Sequence, residues 1–94
     1  MEHSHTHESH AKVVNRLKRA GGHLSNVVAM MEAGASCVEV SQQLHAVEKA
    51  IAAAKKALIH DHIEHCILDS VGGDHSHGEP HHLLDELKDI TKYL

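Results

Sequence analysis

The sequence predicts an all-α protein, a three-helix protomer with a long central helix that pairs with copies of itself. Three observations lead there. Tyr93 is the only aromatic residue, so Ala, Val, Leu and Ile must do the packing, which suits helices lying side by side. Pro80 is the only proline, and glycines are few outside residues 72–78. Apolar residues recur in steps of three and four over most of the chain, the repeat of an amphipathic helix.

The first helix is set by Val13, Leu17, Ala20, Leu24, Val27 and Met31, a narrow stripe of coiled-coil type. Gly21 and Gly22 interrupt it at roughly 1 kcal/mol each relative to Ala, which predicts that something approaches that backbone closely. The stretch "EAGAS" ends this helix, and Ser36 is placed to cap the next. The second helix is predicted from Cys37 to Ser70, striped by Cys37, Val40, Leu44, Val47, Ile51, Ala54 and Leu58. It is about 50 Å long at 1.5 Å per residue, more than two short helices of its own chain can cover. An antiparallel helical dimer is therefore expected. "VGGDHSHGEP" reads as a loop, and Pro80 opens a third helix striped by Leu83, Leu87, Ile90 and Leu94.

Two regions follow from this division: a flexible His-rich arm at 1–10 and a single domain over 11–94. Ninety-four residues enclose only a small core, which again favours association. No apolar run reaches the roughly 18 residues of a membrane span, and the polar start does not resemble a signal peptide, so a cytoplasmic location is expected. Two cysteines, Cys37 and Cys66, are too few for a disulfide framework and read as reduced thiols.

The net charge of −4 argues against a nucleic-acid partner until its distribution is considered. Between Ser9 and Met31 stand Lys12, Arg16, Lys18 and Arg19 and no acid; Lys49, Lys55 and Lys56 form a second group. Such segregation makes a basic stripe able to meet phosphates, or simply a solvated helix face.

The chemistry concentrates in "HDHIEHC", residues 60–66. His62 and Cys66 are four apart, one helical turn, and can grip one ion. His60 is turned about 200° from His62, whereas His65 is a possible substitute ligand. Cys37 lies 25 residues before His62, roughly 37 Å along a straight helix. It can meet that pair only across two antiparallel chains. The midpoint of 37 and 64 is 50.5, which puts a twofold axis beside Ala50 and Ile51, where "AIAAAKKA" allows close crossing. Each dimer would carry two sites, each made of Cys37 of one chain with His62 and Cys66 of the other. The plainer alternative is two buried small thiols and a solvated histidine.

"NRLKRAGGHL", "CVEVSQQLHAV" and "LIHDHIEHC" resemble the signature stretches of the CsoR/RcnR family of bacterial metal-sensing transcriptional repressors, over roughly residues 13–71. The resemblance implies a homotetramer, a dimer of dimers, that binds operator DNA when empty and releases it on binding its inducer, derepressing metal efflux genes. It implies Cys37, His62 and Cys66 as metal ligands and Glu86 as an acidic partner of the site. Nickel and cobalt members add a histidine 32 residues before the first cysteine, here His5, with His3 and His7 as possible substitutes in the same arm. Copper members tend to have tyrosine before that cysteine, where this chain has Ser36. Many members carry arginine where this chain has Gly21, which leaves Arg16, Lys18 and Arg19 as the main DNA contacts.

On that pattern the expected function is a Ni(II)- or Co(II)-responsive repressor, with Cu(I) as the alternative inducer and Zn(II) also compatible with the ligand set. Operator DNA and further copies of the chain are the expected partners, with no membrane and no other protein. From a different class, the 13 histidines would also suit a metal storage or chaperone protein that never touches DNA. No enzyme is expected, because no nucleophile has an evident base and orienting partner.

Overall fold

The structure, a computed structural model, describes residues 4–71 and 80–94, with side chains described over 10–68 and 84–94. Three helices make up the described residues: α1 (Ser4–Glu32), α2 (Cys37–Val71) and α3 (Pro80–Thr91). At 35 residues α2 sets the long dimension of 57 Å. The all-α expectation with a long central helix holds. The "GGDHSHGE" stretch lies outside the described residues.

The turn between α1 and α2 forms where its residues demand it. Gly34 takes φ of 85°, the left-handed conformation that glycine adopts without penalty. Gly34 N–H donates to the Met31 carbonyl and Ala35 N–H to the Met30 carbonyl, which together make a Schellman closure. Ser36 then accepts the Glu39 N–H on its Oγ at 3.1 Å, the expected N-cap. The chain is thereby reversed within four residues, and α1 and α2 run antiparallel.

Their seam separates the apolar stripes into two. Val13, Ala20 and Val27 on α1 and Val40, Val47 and Ala54 on α2 are buried, each set at a spacing of seven, with Val27, Val40 and Val47 at the centre. The interleaved residues Leu17, Leu24 and Met31, and Leu44, Ile51 and Leu58, remain exposed. A seam of valine and alanine is thin: each valine contributes about 1.5–3 kcal/mol by burial, and alanine less. The larger side chains are kept on an adjoining outward stripe.

Three sequence-based expectations change. α1 begins at Ser4, well before the stripe that starts at Val13. Among the described residues, a Cβ built at Gly21 or Gly22 would meet nothing within 4 Å, so the space beside them is open within this chain. Of the α3 stripe, Leu87 and Ile90 are half-buried, Leu94 is exposed beyond the helix end, and the Leu83 side chain lies outside the described residues.

Ala54 is fully buried in the α1–α2 seam. Ala54→Leu should therefore destabilise the protein by about 1–3 kcal/mol through overpacking. Ala46→Leu, at an exposed position of the same helix, should change stability by less than about 0.5 kcal/mol. Urea denaturation at fixed protein concentration compares them; equal effects would contradict the seam.

Candidate metal centre

His62 and Cys66 occupy successive turns near the C-terminal end of α2. Cys66 is buried and His62 half-exposed. α3 brings Glu86 to the same place, with its Oε1 3.9 Å from His62 Nε2. One potential ligand atom from each of His62, Cys66 and Glu86 lies within 4.8 Å of the others. An imidazole nitrogen, a thiol sulfur and a carboxylate oxygen thus converge on one point from two helices. His65 is not part of that group.

Cys37 stands at the opposite end of α2 and is exposed. It lines an open, largely apolar groove with Val38, Ser41, Gln42 and His45. The rise of α2 puts it about 37 Å from His62, as the sequence spacing requires. Within one chain the two cysteines cannot share an ion. The side chains of His3, His5 and His7 lie outside the described residues.

Every candidate DNA-contacting base, namely Lys12, Arg16, Lys18, Arg19, Lys49, Lys55 and Lys56, is exposed. Arg16 and Arg19 flank a cleft of about 310 Å³ between α1 and α2, whose other walls are Ala20, His23, Ala50 and Ala53. The His23 ring contacts Gln43 Oε1 at 2.6 Å across the two helices. His23 was not singled out by sequence, although it lies seven residues from Arg16 and hence on the same helix face.

The donor set narrows the metal chemistry. Thiolate and imidazole suit Cu(I), Zn(II), Ni(II) and Co(II), whereas a carboxylate suits the divalent ions and is poor for Cu(I). A single chain therefore presents Cu(I) with two good ligands.

A family model described as metal-sensitive transcriptional repressor matches residues 9–93. The chain is 37% identical over 93 residues to the copper-sensing transcriptional repressor CsoR of Mycobacterium ulcerans, covering 99% of this chain and 75% of that one. It is 36% identical over 75 residues to the protein of the same name from Mycobacterium tuberculosis (strain ATCC 25618 / H37Rv), covering 80% of this chain and 63% of the relative's length. Against the Bacillus subtilis copper-sensing transcriptional repressor CsoR the identity is 32% over 81 residues, 86% of this chain and 80% of that one. No solved structure matches the chain.

Proposed function

The chain belongs to the metal-sensitive transcriptional repressor family, and from that premise we propose that it is a Cu(I)-responsive repressor, bound to operator DNA when empty and released by the metal. The similarity to copper-sensing repressors carries the choice of metal and moves it from Ni(II) or Co(II), the sequence-based expectation, to its alternative. The ligands we assign are His62 and Cys66 of one chain with Cys37 of a second. That trigonal set of two thiolates and one imidazole is soft enough for Cu(I).

The exposed stripe of Cys37, Leu44, Ile51 and Leu58 supports an antiparallel dimer. An isolated chain leaves these large side chains in water, and a twofold-related copy covers them while bringing Cys37 to the partner's His62. Assembly of such dimers into a tetramer belongs to the same proposal, as does a division of the chain into an N-terminal arm at 1–10 and a sensing domain at 11–94. Glu86, facing His62 Nε2, is placed to accept its proton in a hydrogen bond and so orient the ring while the ion is held. No helix among the described residues is long and apolar enough to cross a membrane.

The bases of α1 and α2 are assigned to operator phosphates. With almost no aromatics to stack on bases, the interface should depend on charge and DNA shape. Arg16→Ala should weaken binding to any sequence and reduce the slope of log K against log salt by about 0.9 for each copy of Arg16 in the oligomer that meets a phosphate. An unchanged slope would remove Arg16 from the interface.

Metal and DNA are linked reciprocally. If Cu(I) lowers DNA affinity by a given factor, the DNA complex binds Cu(I) more weakly by the same factor. Fluorescence anisotropy of the DNA upstream of the gene, with reduced protein, tests the proposal: a tight complex is expected without metal and its loss with Cu(I). Release by Ni(II) and not by Cu(I) would restore the nickel reading and a role for His5, and no DNA complex in any state would favour metal storage.

A further inference from the structure

Glu86 reaches further than orienting the His62 ring at the Cu(I) site requires. A residue that only oriented His62 would need to reach that ring alone, yet its carboxylate also lies within 4.8 Å of the Cys66 sulfur. Ligand atoms around a tetrahedral ion with bonds of about 2.0–2.3 Å are roughly 3.3–3.8 Å apart. His62 Nε2 and Glu86 Oε1, at 3.9 Å, are already close to that spacing, so a divalent ion would take Nε2, the nitrogen that faces Glu86 as a proton donor in the Cu(I) mode. Both residues are half-exposed, so water can reach a fourth position, while Cys66 closes the buried side.

We propose that His62, Cys66 and Glu86 form a second, single-chain mode of metal binding, for a borderline divalent ion such as Zn(II) or Co(II), that does not use Cys37. This rests on the reading of His62 and Cys66 as ligands and adds a choice of third ligand. Cu(I) rejects the carboxylate and takes the partner's thiolate; a divalent ion accepts the carboxylate that its own chain already supplies. On binding, the Cys66 thiol gives its proton to solvent and no redox change occurs.

The two modes tie different elements together. Through Cys37 an ion joins two chains; through Glu86 it joins α2 to α3 of one chain. The same His–Cys pair thereby separates metals by which connection they make, and a divalent ion held by Glu86 leaves the metal link between chains unmade. This gives the protein a way to hold Zn(II) without responding as it does to Cu(I).

Co(II) is the probe, because its thiolate charge-transfer and d–d bands report the ligand set. In reduced full-length protein, Cys37→Ala should keep Co(II) affinity, with charge-transfer intensity of a single thiolate. Glu86→Gln should weaken it by at least about tenfold, the lower end of the cost of losing even an outer partner of a metal site. Glu86→His, which returns a ligand atom, should restore binding with shifted d–d bands, and circular dichroism should show the helices intact in all three. Loss of Co(II) binding in Cys37→Ala, or an unchanged affinity in Glu86→Gln, would overturn the proposal. A parallel Cu(I) titration of Cys37→Ala keeps the two readings apart: weakened Cu(I) binding upholds the two-chain copper site whichever way the cobalt result falls.

Discussion

Cys37→Ala is expected to lower Cu(I) affinity by at least ~100-fold, the upper end of what loss of a mere outer partner costs, and to leave the DNA complex insensitive to Cu(I). The effect is large because Cys37 is one of two soft ligands in the proposed three-ligand set. It would be inexplicable within one chain, where Cys37 and Cys66 lie near opposite ends of α2. Titration of reduced protein against a Cu(I) chelator measures it. Wild-type affinity in the variant would remove Cys37 from the site.

Ile51→Glu should split the proposed dimer. Ile51 is exposed in the single chain and stands beside the proposed twofold axis, so a dimer brings two copies of the substitution together. Each chain loses the burial of one isoleucine, about 1.5–3 kcal/mol. For the pair this is about 3 kcal/mol or more before charge repulsion, and the dimer should weaken by at least ~100-fold. Light scattering should then show monomer mass at concentrations where the wild type is oligomeric, with the helices retained, because the α1–α2 seam of Val27, Val40 and Val47 does not include Ile51. An unchanged mass would place the interface elsewhere.

Much of this architecture was legible in the residues because local chemistry set it. Ser36 followed by Glu39 marks a cap, Gly34 ends α1, and Pro80 begins α3, each through backbone requirements that do not depend on distant contacts. Periodicity also located the stripes on both long helices. It could not divide them, because Val27 and Leu24 are equally apolar in a sequence, and only the antiparallel seam buries the first and leaves the second exposed. The start of α1 was missed for a related reason: "SHTHESHA" has no apolar repeat, so nothing in its pattern distinguishes a helical extension from a polar arm.

The candidate metal centre was partly legible. The four-residue step from His62 to Cys66 follows from helix geometry, and the distance to Cys37 follows from the same rise per residue. Glu86 was expected as an acidic partner of the site, but its approach to both His62 and Cys66 depends on how α3 folds back over α2, which no local pattern encodes. The choice between metals was the least legible. The N-terminal histidines pointed to nickel or cobalt, whereas similarity over the chain points to copper-sensing relatives.

The central claim is that one Cu(I) site is completed by two chains. Mixing the Cys37→Ala and Cys66→Ala proteins under exchange conditions tests it most directly. Neither variant alone has all three ligands, but a mixed dimer has one intact site, with Cys37 from one chain and His62 and Cys66 from the other. Statistical exchange of equal amounts should restore high-affinity Cu(I) binding at about a quarter of all sites. Recovery at that level is the result expected here, and no recovery, with chain exchange verified by mass, would contradict a site shared between chains.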